Sequence, residues 1–147
     1  MLSSFLQKLD FVHQFKMAEG SIGILGTKQV MLPSSLVSEL NKESIYDIAK
    51  KSAHEEVEIY IKRINADQES TLNISEQIFD TYGLGKLKIE LFDKKGKAIV
   101  HVSDAAFPGK SPLTRGVLAG MFSFLCKKNV DAEFKGMKGN ANVYVIG

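Results

Sequence analysis

The sequence predicts an α+β domain, an antiparallel sheet of hairpins packed against helices. Three observations carry that prediction. Two alternating apolar–polar runs flank the turn Asp93-Lys-Lys-Gly96, and a second such pair flanks Lys138-Gly139-Asn140. Long stretches with apolar residues three and four apart lie before and between these hairpins. No strand–helix–strand spacing suggests a parallel sheet. The 147 residues are read as one domain able to bury its own core.

Taken in order, residues 2–17 have helical spacing, with Phe5, Leu6, Leu9, Val12, His13 and Lys16 on one face. The segment 1–19 is expected to be an N-terminal helix that dimerises. A hairpin follows, Ser21–Leu25 and Lys28–Leu32, with Gly26-Thr27 as a type II′ turn. Pro33 opens a short helix through Asn41. The longest helix is expected from Ser44 to Ile64, burying Ile45, Ile48, Ala49, Ala53, Val57, Tyr60, Ile61 and Ile64. Residues 65–71 are polar and read as a loop. A helix over Asn73–Tyr82 stops at Gly83 and Gly85. In the strands after it, Leu87, Ile89 and Leu91, then Ala98, Val100 and Val102, point to the core.

Ser111 and Pro112 open an amphipathic helix, as N-cap and first helical residue. Gly116 and Gly120 lie on one face of it, each costing about 1 kcal/mol relative to alanine. Such a face expects close approach of a backbone or a ligand. Leu113, Val117, Met121, Phe124 and Leu125 make an adaptable apolar surface beside it. The last strands are Val130–Lys135 and Ala141–Ile146.

Hydrophobic residues make up 44% and charged residues 24%, an ordinary globular balance. No apolar run reaches the ~18 residues of a membrane span. The N-terminus mixes charged with apolar residues, unlike a signal peptide. One cysteine, Cys126, rules out an intrachain disulfide and suits a reducing cytoplasm. Charge is uneven: residues 1–85 carry a net −4 and residues 86–147 a net +6. Lys94, Lys95 and Lys97 cluster at one turn, and Lys127, Lys128, Lys135 and Lys138 near another. Without interleaved aromatics or an arginine cluster these lysines do not suit nucleic acid. They read as a solvated surface, with an acidic partner or anionic lipid as the sharper alternative.

Motifs for catalysis are weak. Pro108-Gly109-Lys110-Ser111 sits where a phosphate loop would, but Asp104 replaces the first glycine of that pattern and Pro108 removes an amide donor. His54 and Glu58 are one turn apart without a second histidine on their face, so no metal site and no cofactor is expected. Cys126 falls near a helix C-terminus, whose dipole disfavours a thiolate. No enzymatic arrangement emerges. What remains is apolar: Phe79, Tyr82, Phe107, Met121 and Phe124, with Gly116 and Gly120, are the candidate lining of a pocket for an apolar molecule.

The run Thr81-Tyr-Gly-Leu-Gly-Lys, the helix segment Arg115-Gly-Val-Leu-Ala-Gly120 and the ending Val130-Asp-Ala-Glu133-Phe-Lys-Gly-Met-Lys-Gly139-Asn resemble the 4-vinyl reductase (4VR) domain. Its superfamily includes sensor domains of aromatic-responsive regulators and the small subunits of the TRAPP tethering complex. The resemblance, from about Gly20 to Ile146, implies a homodimer with a pocket for a small hydrophobic molecule. Cysteines that hold zinc in some members are replaced here by Lys135 or Gly136 and by Asn142 or Val143, although Glu133 remains. Leu84 stands where many members have tryptophan, so the resemblance does not extend to an aromatic-specific pocket. The expected function is non-enzymatic binding of a lipid, hydrocarbon or aromatic by a cytoplasmic, free-standing sensor or carrier. The alternative is a structural interaction module whose cavity is filled by side chains.

Overall fold

A computed structural model describes residues 15–18, 20–93 and 95–147. Most of the expected N-terminal helix therefore lies outside the described residues. Its end is a strand: β1, Phe15–Ala18, pairs antiparallel with β2, Ser21–Ile24, which pairs with β3, Thr27–Gln29. The β2–β3 turn is Leu25-Gly26, one residue earlier than expected, because Ile24 pairs with Thr27. Leu25 (φ 49°) and Gly26 (φ 78°) are both left-handed, as a type I′ turn requires. A leucine tolerates that backbone poorly. Here its side chain is only 2% exposed, and that burial offsets the local strain and pins the hairpin tip to the core.

Helix α1, Ser34–Leu40, follows Pro33, and a 3-10 turn at Glu43–Ile45 leads into α2, Tyr46–Ile64. Asn65 ends α2 in the left-handed conformation (φ 53°). Helix α3, Gln68–Thr81, starts five residues before the expected position. The reason is Asp67, whose carboxylate accepts a hydrogen bond from Ser70 N at 2.7 Å and so turns a polar stretch into a capped helix.

The second sheet contains β4, Lys86–Asp93; β5, Lys97–Ser103; β6, Ala132–Lys138; and β7, Ala141–Ile146. Its order is β4-β5-β7-β6 with every pair antiparallel. A register shift between Ile89 and Leu91 reverses the alternation in β4. Leu91, expected inside, is consequently 49% exposed, and Phe92 turns inward instead to pack on Phe122 at 6.2 Å between ring centroids.

Helix α4, Pro112–Cys126, crosses between β5 and β6. Far from being amphipathic, it is buried from Gly116 through Ser123 on every side. Leu118, Met121 and Phe122 join Val100, Val102, Tyr144 and Ile146 in the core on its sheet side. On its other side Gly116 faces Ala49 and Gly120 faces Ala53 of α2. This contact selects the buried stripe of α2: Ala49, Ala53, Val57, Tyr60 and Ile61 are buried, whereas Ile48, expected inside, is 65% exposed.

The N-terminus of α4 is fully occupied. Ser111 Oγ accepts from Thr114 N at 3.1 Å, and Asn41 Oδ1 accepts from Leu113 N at 2.8 Å. Asn142 and Tyr144 fasten the preceding loop, accepting from Gly109 N and donating to Gly109 O. At the flank, Arg115 donates to Glu43 and to Ala132 O and lies over the Tyr46 ring. Asp131 accepts from Tyr46 Oη at 2.8 Å and Lys50 Nζ at 2.7 Å, which hold its carboxyl below the usual range. The segment read against a phosphate loop is thus a helix cap held from two sides.

Candidate functional site

The seven candidate lining residues do not meet around one cavity. Phe79 and Met121 are completely buried side chains of the core, and Phe107, half-buried in the β5–α4 loop, packs against the same core. Gly116 and Gly120 do not line a cavity, because the backbone of α2 occupies the space above them. A methyl group on Gly116 would lie 2.5 Å from Tyr46 O, and one on Gly120 would overlap Lys50 O. The close approach anticipated for that face is made by a helix. Tyr82 and Phe124 line two separate hollows.

The Tyr82 hollow is an apolar recess of about 470 Å³, within the range of small-molecule pockets. Ile22 and Ile24 of the small sheet, Leu32 beyond it, Val37 of α1 and Tyr82 after α3 make its walls. Gln29 supplies a polar edge. Its side-chain amide donates to Tyr60 Oη at 3.0 Å and to Glu56 Oε1 at 3.2 Å. The small hairpin is thereby tied to α2 through Gln29, and three polar side chains from two elements gather beside the apolar walls.

Burial, then the charge of Glu56, raises both the Tyr60 and the Tyr82 phenol, so both stay protonated at neutral pH. Tyr82 Oη is enclosed without a hydrogen bond of good geometry, although Glu56 is near enough to act on its ionisation. Thr114 Oγ1, at the start of α4, is likewise enclosed and unpaired. An unpaired enclosed hydroxyl costs about 1–3 kcal/mol unless something bonds to it. The arrangement offers an incoming molecule an apolar surface that includes Tyr82, with the Gln29 side chain as its polar edge.

Sequence reasoning missed Gln29 and Glu56, and took Tyr60 only as core. A signal was present: Glu56 and Tyr60 are four residues apart in α2 and share a face with the buried Ala53. Gln29 carries no comparable mark, because its role depends on the turn position.

The other candidates have structural partners. His54 stands edge-on to Phe124 at 5.9 Å, and Glu58 pairs with Lys62 at 2.5 Å. Glu133 pairs with Lys135 at 2.6 Å, and His101 with Glu90. Among the described residues, no three His, Cys, Asp or Glu side chains gather as a metal site. Burial pushes the Cys126 thiol up, away from thiolate chemistry. Leu84, at the position of the missing tryptophan, is buried, and its carbonyl accepts from Ala106 N at 3.1 Å.

A four-stranded antiparallel sheet on one side of a buried helix, α2 on its other side and a separate three-stranded antiparallel sheet make an α+β fold. The chain is similar in structure to the phenol-responsive sensory domain of the transcription activator PoxR, determined with phenol. The TM-score is 0.74 over 99% of this chain and 91% of that one, at 12% sequence identity. No family model and no curated protein sequence matches the chain. No helix among the described residues is long and apolar enough to cross a membrane.

Proposed function

We propose that this chain binds a small hydrophobic molecule in the recess beside Tyr82, as a sensor or carrier and not as an enzyme. The observation that carries the proposal is an apolar recess of about 470 Å³, walled by Ile22, Ile24, Leu32, Val37 and Tyr82, with the Gln29 side chain at its edge. A molecule with an apolar body and one hydrogen-bonding group would cover the walls and meet the Gln29 side chain at the edge. The PoxR domain of similar fold responds to phenol, which supports small-molecule sensing as the class of function.

The proposal includes a cytoplasmic homodimer. Met17, Val30, Met31 and Leu32 are exposed at the mouth of the recess, with Leu36 and Leu40 of α1 exposed as well. A second copy docking on this apolar patch would both bury it and roof the recess. The structural-module alternative, related in form to the TRAPP small subunits, is favoured by one observation: α2 fills the glycine face of α4.

Native mass spectrometry of the purified protein, beside an organic extract of the same sample, separates the two. Retention of a small apolar molecule that is lost in a Tyr82→Trp variant is the expected result. An empty protein that also shows no thermal shift with phenols, alcohols or hydrocarbons would overturn ligand binding and leave the module.

A further inference from the structure

We propose a second, independent binding site at the C-terminal end of α4, built for an amphiphilic anion with an apolar tail and a carboxylate head. A cleft of about 520 Å³ opens there between the ends of α2 and α4 and the start of α3. Ile61, Leu72, Phe92, Phe124 and Leu125 supply its apolar walls. Helix α4 is buried from Gly116 through Ser123, but its last turn, Phe124–Cys126, is only half-covered. The cleft lies where this half-covered turn meets Ile61 near the end of α2 and Ala66 beyond the left-handed Asn65. Two large apolar side chains are left facing a hollow of ligand size.

The second observation is the basin on the other side of Phe124. It holds about 470 Å³ and is lined by His54, Ser123, Lys127, Lys128 and Asn129, with Glu58 at its edge. Phe124 and Lys127 belong to both hollows, so the apolar cleft and the cationic basin share a wall. Lys127 and Lys128 have no ion-pair partner among the described residues. The acids nearby are engaged: Glu58 by Lys62, and Asp93 by the amide of Lys95. The helix C-terminus itself disfavours an anion, but its half-charge is smaller than the two lysine charges. Phe124 O and Ser123 O are also already bonded, to the amides of Lys127 and Lys128.

An apolar cleft alone would accept any hydrocarbon. Lys127, shared by the cleft and the basin, and Lys128 in the basin select a tail that ends in negative charge. The uneven positive charge of residues 86–147 acquires a role at this point. Each methylene that enters the cleft should raise affinity several-fold until the walls are covered.

The test is titration calorimetry of the intact protein with hexanoate, octanoate and decanoate, and with decanol and decylamine as uncharged and cationic controls. Binding should strengthen along the acid series. Decanoate should bind at least tenfold tighter than decanol, and decylamine should bind weakest. The double variant Lys127→Gln/Lys128→Gln, both exposed positions, should lose that tenfold advantage while keeping its circular dichroism spectrum. Tyr82→Trp should leave decanoate binding unchanged, which separates this site from the recess under the small sheet. Equal affinity for decanoate and decanol, or unchanged binding in the double variant, would overturn the proposal. So would loss of decanoate binding on Tyr82→Trp, since it would place the acid in the other recess.

Discussion

Tyr82 carries the balance between stability and binding at the scale of one residue. Its ring is a wall of the recess, and its hydroxyl is enclosed with no hydrogen bond. Removing the oxygen while keeping the ring relieves an unsatisfied group without opening a cavity. Tyr82→Phe should therefore leave the ligand-free protein as stable or stabilise it by up to about 1–2 kcal/mol in urea unfolding. The ring stays in the wall of the recess, so ligand binding there should change little. A loss of stability would show that the hydroxyl has a partner, with Glu56 the first to consider. Composition and periodicity pointed to Tyr82 as an aromatic of the right kind. They could not reveal Gln29 or Glu56, because a polar residue becomes part of a site through what folds over it. Glu56 looks like any helix-surface acid until the small hairpin brings Gln29 within 3.2 Å of it.

At the scale of elements, the α2–α4 crossing organises the molecule. Gly116 and Gly120 oppose Ala49 and Ala53, so two backbones approach where ordinary side chains would hold them apart. Alanine is favoured over glycine inside a helix by about 1 kcal/mol. At Gly120 that gain is opposed by overlap with Lys50 O and a 3.0 Å approach to Ala53 Cβ, neither of which is the end of a flexible side chain. Gly120→Ala should be net destabilising by about 1–3 kcal/mol, the range for overpacking, measured as a lower urea midpoint. A gain in stability would mean that the helices can part without cost. The glycine spacing foretold close approach correctly but not its partner: a cavity and a helix leave the same mark in sequence. The rest of the element pattern divides along similar lines. β5 and the cap of α4 were legible because alternation and Ser-Pro are local signals. The inward turn of Phe92 was not, since a one-residue bulge changes side-chain direction without changing composition. The early start of α3 depended on one capping carboxylate within a stretch of polar residues.

For the whole molecule, the distribution of exposed apolar side chains is uneven. Val30 and Met31 are 77% and 71% exposed, and Met17, Leu32, Leu36 and Leu40 are exposed in the neighbouring strand, connection and helix. These residues belong to the small sheet, α1 and the link between them. Scattered apolar residues on a surface require no explanation, but a contiguous group marks a surface that meets something. Among the described residues, β3 also stands at an edge of its sheet, next to Val30, with one side unpaired. A second copy would satisfy both the edge and the patch, and its placement at the mouth of the recess would couple assembly to ligand occupancy. Light scattering across a concentration series should accordingly give twice the mass of the chain. Met31→Lys puts a charge into the patch without touching the core, so it should shift the mass to that of one chain while the unfolding midpoint of the monomer unit stays near its original value. It should also weaken the recess ligand, because the roof is lost, and leave decanoate binding at α4 unaltered. A monomer at every concentration in the unmodified protein would remove the dimer and leave the recess open on one side.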